Sequence, residues 1–304
     1  MNRETAISSP TGALRPGEKL LEPLAAGGGA GEGKNVGSPA GKLNDSGATR
    51  AVEISIVVPL WNEEMNVPPL VEKIFQAFRA EAKVLELILV DDASSDGTWE
   101  GILRAQKNDA RVRAVRLLRH SGQSAALWTG FTASRGQTIA TLDGDLQNDP
   151  ADLPLMLKEL GAYDLVCGWR AKRRDNSLRR ISSAVARWAR KTALGVDFRD
   201  TGCNLRVFRR EVLSRLFPFD GLHRFMPVLA HSAGFRVREI SVLHHPRTAG
   251  KSKYGVWNRL GRGVWDLAAM AWYRKRQLSR IPAAEHAAEE TAAGGSVQKT
   301  STGF

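Results

Sequence analysis

Two aspartates stand one residue apart in the stretch TLDGDLQNDP, residues 141–150, and a third, Asp149, lies just before Pro150. The apolar run ahead of them has the make-up of a buried strand, so Asp143 and Asp145 fall at a strand's mouth. Two carboxylates this close repel each other, and a shared divalent cation removes the conflict. Asp-x-Asp supplies hard oxygen ligands that suit Mg²⁺ or Mn²⁺, with the oxygens of a diphosphate completing the shell. Gly144 between them lets the backbone approach a ligand closely. The plain alternative is that these acids cap the helix starting near Ala151; it suits Asp149, while the strand-end pair suits the metal. VDDASSDGT (90–98) poses the same choice: Ser94, Asp96 and Gly97 suit a turn and a helix cap, whereas Asp91, deeper at a strand terminus, suits contact with a base or ribose.

The elements that must position these residues are legible as alternating runs. Strands are predicted at 52–60, 84–92, 112–118, 137–145 and 163–170, and the segments after the first four have helical spacing or small-residue helical composition. Near-continuous apolar strands alternating with helices predict an α/β fold, a mostly parallel sheet covered on both faces. Ligands in such sheets bind outside the carboxyl ends of the strands. The polar residues gather there: Asn62 and Glu63, Asp91 and Asp92, Asp143 and Asp145, and Arg170, at four strand ends. Beyond 195 the pattern changes to a strand running into a helix (203–213), a short apolar helix ended by Gly234, and a half-exposed strand (237–247).

Composition narrows the class. The chain has 304 residues and a net charge of +12. Residues 1–50 are rich in Gly, Ala and Ser without lasting periodicity, which predicts a disordered tail, and 281–304 look equally loose. No basic start with an apolar core marks a secretory signal. The positive excess concentrates in 169–191, where Arg170, Arg180 and seven other cations face only Asp175; such a block suits nucleic acid, phosphorylated ligands or an acidic lipid surface, while a solvated helix face accounts for most of its residues. Cys167 and Cys203 sit in apolar settings and suit small buried residues in a reducing cytoplasm. No apolar run approaches the roughly 20 residues that span a bilayer. AGGGAGEGK (26–34) has neither the preceding strand nor the following helix of a phosphate loop, and there is no Gly-x-Ser-x-Gly. The histidines show no metal spacing: His244 or His245 suits orientation of a neighbouring loop, His223 suits a structural role, and His120 and His231 have no visible partner.

VVPLWNEE, LVDDASSDGT, TLDGDLQNDP, DTGCNLRVFRREV, HRFMPVLA and HHPRTAGKSKYG occur in that order. Together they resemble glycosyltransferase family 2 with the GT-A fold, and within it the polyprenyl-phosphate glycosyltransferases, of which dolichol-phosphate mannose synthases are one kind. The resemblance covers 54–276 and implies a catalytic domain over 51–253. It implies that Pro59, Asn62, Glu63 and Asp91 line the nucleoside pocket of a sugar nucleotide, and that Asp143 and Asp145, with Gln147, hold the cation and diphosphate. Arg170, Arg180 and Arg247 would bind phosphate oxygens, a role the planar guanidinium fork suits, and Ser252 and Lys253 would close a loop over the diphosphate. Asp200 matches an acid near the acceptor phosphate. The reaction implied is inverting transfer of a hexose from a UDP- or GDP-linked donor to a polyprenyl phosphate at the cytoplasmic membrane face, with Asp145, Asp200, Arg180 and Arg247 nearest the chemistry.

Residues 254–280 predict a basic amphipathic helix. Trp257, Leu260, Val264, Leu267 and Ala271 share a stripe that Trp265, Trp272 and Tyr273 widen, flanked by Arg259, Arg262, Arg274, Lys275 and Arg276. Such a helix suits an anionic membrane surface, and it equally suits packing against the domain. One alternative is a soluble family member acting on a hydroxyl acceptor, which gives Asp200 a larger part as a base. A nucleic-acid-binding protein ranks last, because the basic block lacks stacking aromatics beyond Trp169 and Trp188. Oligomeric state has no signature in the chain.

Overall fold

The computed structural model describes residues 51–81, 83–170, 191–192, 195–246 and 256–276; side chains are described from 265 onward in the last stretch, Arg274 excepted. Both expected tails, most of the basic block including Arg180, the loop with Arg247, Ser252 and Lys253, and the side chains of Trp257, Leu260 and Val264 lie outside the described residues.

Seven strands form one sheet in the order β3-β2-β1-β4-β6-β5-β7. They are β1 (Ile54–Leu60), β2 (Leu85–Asp91), β3 (Val112–Arg116), β4 (Thr138–Thr141), β5 (Leu165–Arg170), β6 (Arg206–Arg209) and β7 (Val237–Val242). Helices α1 (Val67–Ala77), α2 (Thr98–Asn108), α3 (Gln123–Ala133), α4 (Asp152–Glu159), α5 (Leu222–Ser232) and α6 (Val256–Arg276) flank it. The β-branched strands are buried on both faces because helices cover both. Along β1, Ile54, Ile56, Val58 and Leu60 enter the core under α1, α2 and α4, while Val57 enters the opposite core under α3 and α5. The period of two that divides them is the pleat itself.

Two sequence expectations are refined. The run 203–213 is a strand followed by a 3-10 helix, Arg210–Arg215, in place of an α-helix. It is also the one strand that breaks the parallel order: β6 pairs antiparallel with both β4 and β5. Phe208 from β6 meets Phe131 of α3 edge-on at 5.4 Å, fixing this short strand in the core. A strand of reversed direction starts, where its neighbours end, at the carboxyl edge. The loop that precedes β6 is thereby delivered beside Asp143.

Candidate active site at the carboxyl edge of the sheet

Among the described residues three non-glycine residues adopt left-handed backbone, Asn62 (φ 52°), Ala93 (φ 53°) and Leu146 (φ 59°), and each follows a strand terminus at this edge. Ala and Leu pay for that conformation in strain, which persists where the surroundings over-determine it. The surroundings are hydrogen bonds between loops. Asn62 donates its backbone N–H to Ser94 Oγ at 2.9 Å and accepts the Ser95 N–H at Oδ1, also at 2.9 Å. The Glu63 N–H reaches Thr98 Oγ1 at 2.8 Å, and Glu63 Oε2 accepts from Asn66 Nδ2 at 2.6 Å. The β1 and β2 loops are thus stitched together. Asp91 is fully buried; its Oδ1 accepts the Ser94 N–H at 3.1 Å and its Oδ2 lies 3.0 Å from Arg116 Nε. Asp96 bonds the Thr98 N–H at 3.0 Å, one residue ahead of the Gly97 cap, as the turn reading expects.

Asp143 and Asp145 emerge after β4, each half-buried. Asp143 Oδ1 accepts from Gln123 Nε2 at 2.7 Å and from Asn204 Nδ2 at 3.1 Å, donors from α3 and the loop before β6. Burial, reinforced by the Asp145 charge, pushes the Asp143 carboxyl up to about 6, against the pull of Asn204, Arg170 and Arg206. An electrostatic deficit of this sign, on hard oxygen ligands, is what a divalent cation relieves. Among the described residues no group of three or more His, Cys, Asp or Glu could hold a metal by itself. Gly144 also serves close packing on β1, since a Cβ there would collide with Leu60 Cδ2 and lie 3.3 Å from the Pro59 carbonyl.

Gln147 is tied at both backbone groups, its N–H to Asp145 Oδ1 at 3.2 Å and its carbonyl to the His245 N–H at 2.8 Å. Asn148 and His244 form an antiparallel bridge, and His245 Nε2 lies 3.1 Å from Asp149 Oδ2. The two histidines therefore hold the loop after β4, as expected of one of them, and Asp149 accepts the Ala151 N–H at 3.0 Å as a helix-start cap. Arg170 ends β5 and meets Asp200 side-on, Nε to Oδ2 at 2.7 Å and Nη2 to Oδ1 at 2.9 Å. Burial works against the Arg170 charge, but the Asp200 hydrogen bonds together with the charges of Asp200, Cys203 and Asp143 raise its pKa.

A strained, carboxylate-bearing edge beside a clamped arginine is the arrangement that comparison with known proteins bears on. The family model described as Glycosyl transferase family 2 matches residues 55–217. The chain belongs to glycosyltransferase family 2. It is 40% identical over 235 residues to the dodecaprenyl-phosphate galacturonate synthase of Rhizobium johnstonii, covering 74% of this chain and 68% of that protein. It is 37% identical over 230 residues to the undecaprenyl-phosphate 4-deoxy-4-formamido-L-arabinose transferase of Shewanella sediminis, covering 75% and 70%. Its fold matches glucosyl-3-phosphoglycerate synthase of Mycobacterium tuberculosis with phosphoglyceric acid bound, at a TM-score of 0.54 and 18% identity over 75% of this chain and 81% of that one. The same synthase with Mn²⁺, UDP-glucose and phosphoglyceric acid matches at a TM-score of 0.52 and 18% identity over 75% and 81%. The sheet is accordingly that of the GT-A fold.

In this glycosyltransferase the partners of His120 and Asp92 had no clear signal in the sequence, while His223, Cys167 and Cys203 take the structural places expected of them. His120, which has no visible partner in the sequence, stacks on Trp61 at 4.1 Å and lies 2.9 Å from Asp92 Oδ2. Asp92 also accepts the Ser121 and Gly122 N–H groups at 2.7 and 2.8 Å, shaping the entry to α3 where Gly122 has φ 90°. The Asp-Asp pair itself was the available signal for Asp92. His223 pairs with Ser124 Oγ at 2.7 Å and is driven down to about 3 by burial and by Arg224 and Arg206, a structural neutral imidazole. Burial pushes Cys167 up to about 12 and Cys203 up to about 11, so both are inert buried thiols.

Helix α6 splits the expected apolar stripe in two. Leu267, Met270, Ala271 and Tyr273 turn inward, with Tyr273 5.1 Å from Phe217. Trp265 is 79% exposed and Trp272 62% exposed, and the Arg276 guanidinium lies 5.4 Å from the Trp272 ring centre. These three are seven and four residues apart, close to whole helical turns, so they share the outer face. Among the described residues no helix is long and apolar enough to cross a membrane.

Proposed function

We propose that this glycosyltransferase moves a hexose from a UDP- or GDP-linked donor onto the phosphate of a polyprenyl phosphate, with inversion, at the cytoplasmic face of a membrane. The observation that carries the reading is the meeting of two opposite sites at one sheet edge: the Asp143–Asp145 pair, and the Arg170–Asp200 clamp whose guanidinium charge Asp143 feels. The first suits a cation with a diphosphate, the second a phosphate monoester. Relatives at 35–40% identity that are named for sugar transfer to dodecaprenyl or undecaprenyl phosphate support the acceptor class.

The donor half is built from Pro59, Asn62, Glu63 and Asp91 around the nucleoside. Mg²⁺ or Mn²⁺ would be held by Asp143 and Asp145 with Gln147, where it supplies charge neutralisation for a leaving diphosphate. Arg180, Arg247, Ser252 and Lys253 complete the phosphate contacts in this reading. The acceptor phosphate has its second pKa near 6, so at neutral pH it is already a nucleophile and needs positioning more than deprotonation. Asp200, with both oxygens bonded to Arg170, suits orientation better than proton transfer. That argument favours a phosphate over a hydroxyl acceptor. The outer face of α6 would rest on the anionic membrane that carries the lipid.

The test is transfer itself. The purified full chain is incubated with radiolabelled UDP- and GDP-sugars, Mg²⁺ or Mn²⁺, and undecaprenyl phosphate in detergent. Label moving into the organic phase with one donor, and lost on chelation, is the expected result. Label that appears only on a water-soluble sugar acceptor would overturn the reading.

A further inference from the structure

The segment Arg199–Thr201 is held from two sides by side chains outside the motifs' expected functional residues. From edge strand β7, Glu239 accepts the Arg199 N–H with both oxygens at 2.9 Å, and the Asp200 N–H at 3.1 Å. From β6, Arg206 donates Nη2 to the Thr201 carbonyl at 3.0 Å. Arg199 itself lies over the Trp169 ring at 4.8 Å, tying the same segment to β5. The backbone that carries Asp200 is therefore fixed at consecutive residues by groups on two strands.

Arg206 is an unusual choice for a mere peg. Its residue exposure is 2%, its Nη1 lies against Met226 Sδ at 3.9 Å, and its buried Nε has no hydrogen-bond partner. No carboxylate pairs with it among the described ion pairs. A buried unpaired cation costs stability, and an apolar side chain of similar volume would serve the core better. What an apolar replacement lacks is the donor to Thr201. Glu239 is likewise more than an edge-strand surface acid, because it spends its carboxylate on two loop amides instead of on a neighbouring arginine.

We propose that Glu239 and Arg206 are positioning residues for the acceptor phosphate: they fix the 199–201 backbone so that Asp200 holds Arg170 in the orientation that meets it. The inference rests on the reading of the Arg170–Asp200 pair as the acceptor-phosphate site. Loss of either bracket frees the loop and lets the clamp rotate, which weakens the acceptor side; loss of Glu239, which touches only loop amides, leaves the donor side in place. Positioning errors of this kind are costly because productive geometry tolerates little displacement.

The test uses farnesyl phosphate, a soluble isoprenyl monophosphate, titrated into the full chain with UDP and Mn²⁺ present. Separate titrations of UDP–Mn²⁺ and thermal melts accompany it. Glu239→Gln and Arg206→Met are each expected to weaken farnesyl phosphate about tenfold or more. UDP–Mn²⁺ affinity should not fall in Glu239→Gln, whose carboxylate touches only the 199–200 amides; that variant carries the donor-side comparison, because Arg206 also acts on Asp143. Arg206→Lys, which keeps the charge and one donor, should recover part of the loss, and guards against a folding defect in the Met variant. If both bracket variants bind farnesyl phosphate like the parent while Arg170→Ala does not, the positioning role is wrong and the phosphate site stands. If Arg170→Ala also binds normally, the phosphate reading of the clamp falls, and this inference with it.

Discussion

At the scale of single residues the decisive fact is the setting of Asp143. Asp143 is shielded, bonded by Gln123 and Asn204, and raised to about 6. A carboxyl raised in the folded state contributes stability that is present below its ordinary value near 4 and is lost as pH climbs through about 6. Cation affinity has the opposite slope, since the metal competes with that proton. Manganese titrations should show affinity rising by up to about tenfold per pH unit below 6 and levelling off above 7. Asp145→Asn should move the midpoint down, because it removes the neighbouring charge. Activity ranks the acids too. Asp145→Ala should lose about 10³-fold or more of transfer, as expected for a metal-holding group. Asp200→Asn, which can still accept from Arg170 through one oxygen, should lose only about 10²-fold. Equal and complete loss in both would put Asp200 in the chemistry as a base. The Asp-x-Asp pair was legible in the sequence because its spacing at a strand end is local. The partners Gln123 and Asn204 were not, since one opens a helix rich in small residues and the other precedes a strand whose direction no local pattern reveals.

At the scale of elements the site is an intersection of strand ends, and the antiparallel β6 explains how distant segments reach it. The parallel strands β1, β2 and β4 and the two cores were readable from continuous apolar runs. The reversed strand was not, because Arg206–Arg209 is four residues long and reversal is set by pairing with β4 and β5. Packing between elements makes its own predictions. In Gly144→Ala the new Cβ meets the end of the Leu60 side chain, which can yield, and the Pro59 carbonyl, which cannot. The Asp143–Asp145 turn should shift away from β1, costing about 1–3 kcal/mol and lowering manganese affinity. Gly136→Ala, whose Cβ would lie 2.7 Å from the Ser55 backbone nitrogen at the other end of the sheet, should lose stability with metal affinity unchanged. The tie between α3 and α5 is pH-sensitive. His223 is depressed to about 3, so its contribution is present above its ordinary 6.5 and is lost as pH falls toward 3. Asp143 acts in the reverse direction over part of that range, so the comparison must be with a variant. Between pH 7.5 and 5, urea unfolding of His223→Gln should lose about 2 kcal/mol less than the parent.

At the scale of the whole molecule, the proposed function sets a chain of net charge +12 against an anionic surface, with α6 as the side that would face it. Helical periodicity made this helix legible, but not its orientation: a single broad stripe of tryptophans and aliphatics could serve either the core or a bilayer. Packing separates the two uses. Met270 is 5% exposed and anchors the inner face, while Trp265 and Trp272 stand outward beside exposed Lys275 and Arg276. Asp266 on α6 lies 3.9 Å from Arg224 at the start of α5, which ties the Trp265 end of α6 to that helix. Exposed indoles on a rigid helix, flanked by cations, gain free energy only where an apolar layer meets anionic headgroups. Trp265→Ala with Trp272→Ala should therefore leave the melting temperature and UDP–Mn²⁺ affinity unchanged, because neither ring contributes to the core. Flotation with vesicles of phosphatidylglycerol should drop by about tenfold or more per tryptophan, the worth of about 1.5 kcal/mol of aromatic burial. Added salt should weaken the parent further by screening the cations. Undiminished flotation of the double variant would show that α6 is a packing helix alone, and that the lipid acceptor reaches Arg170 by some other face.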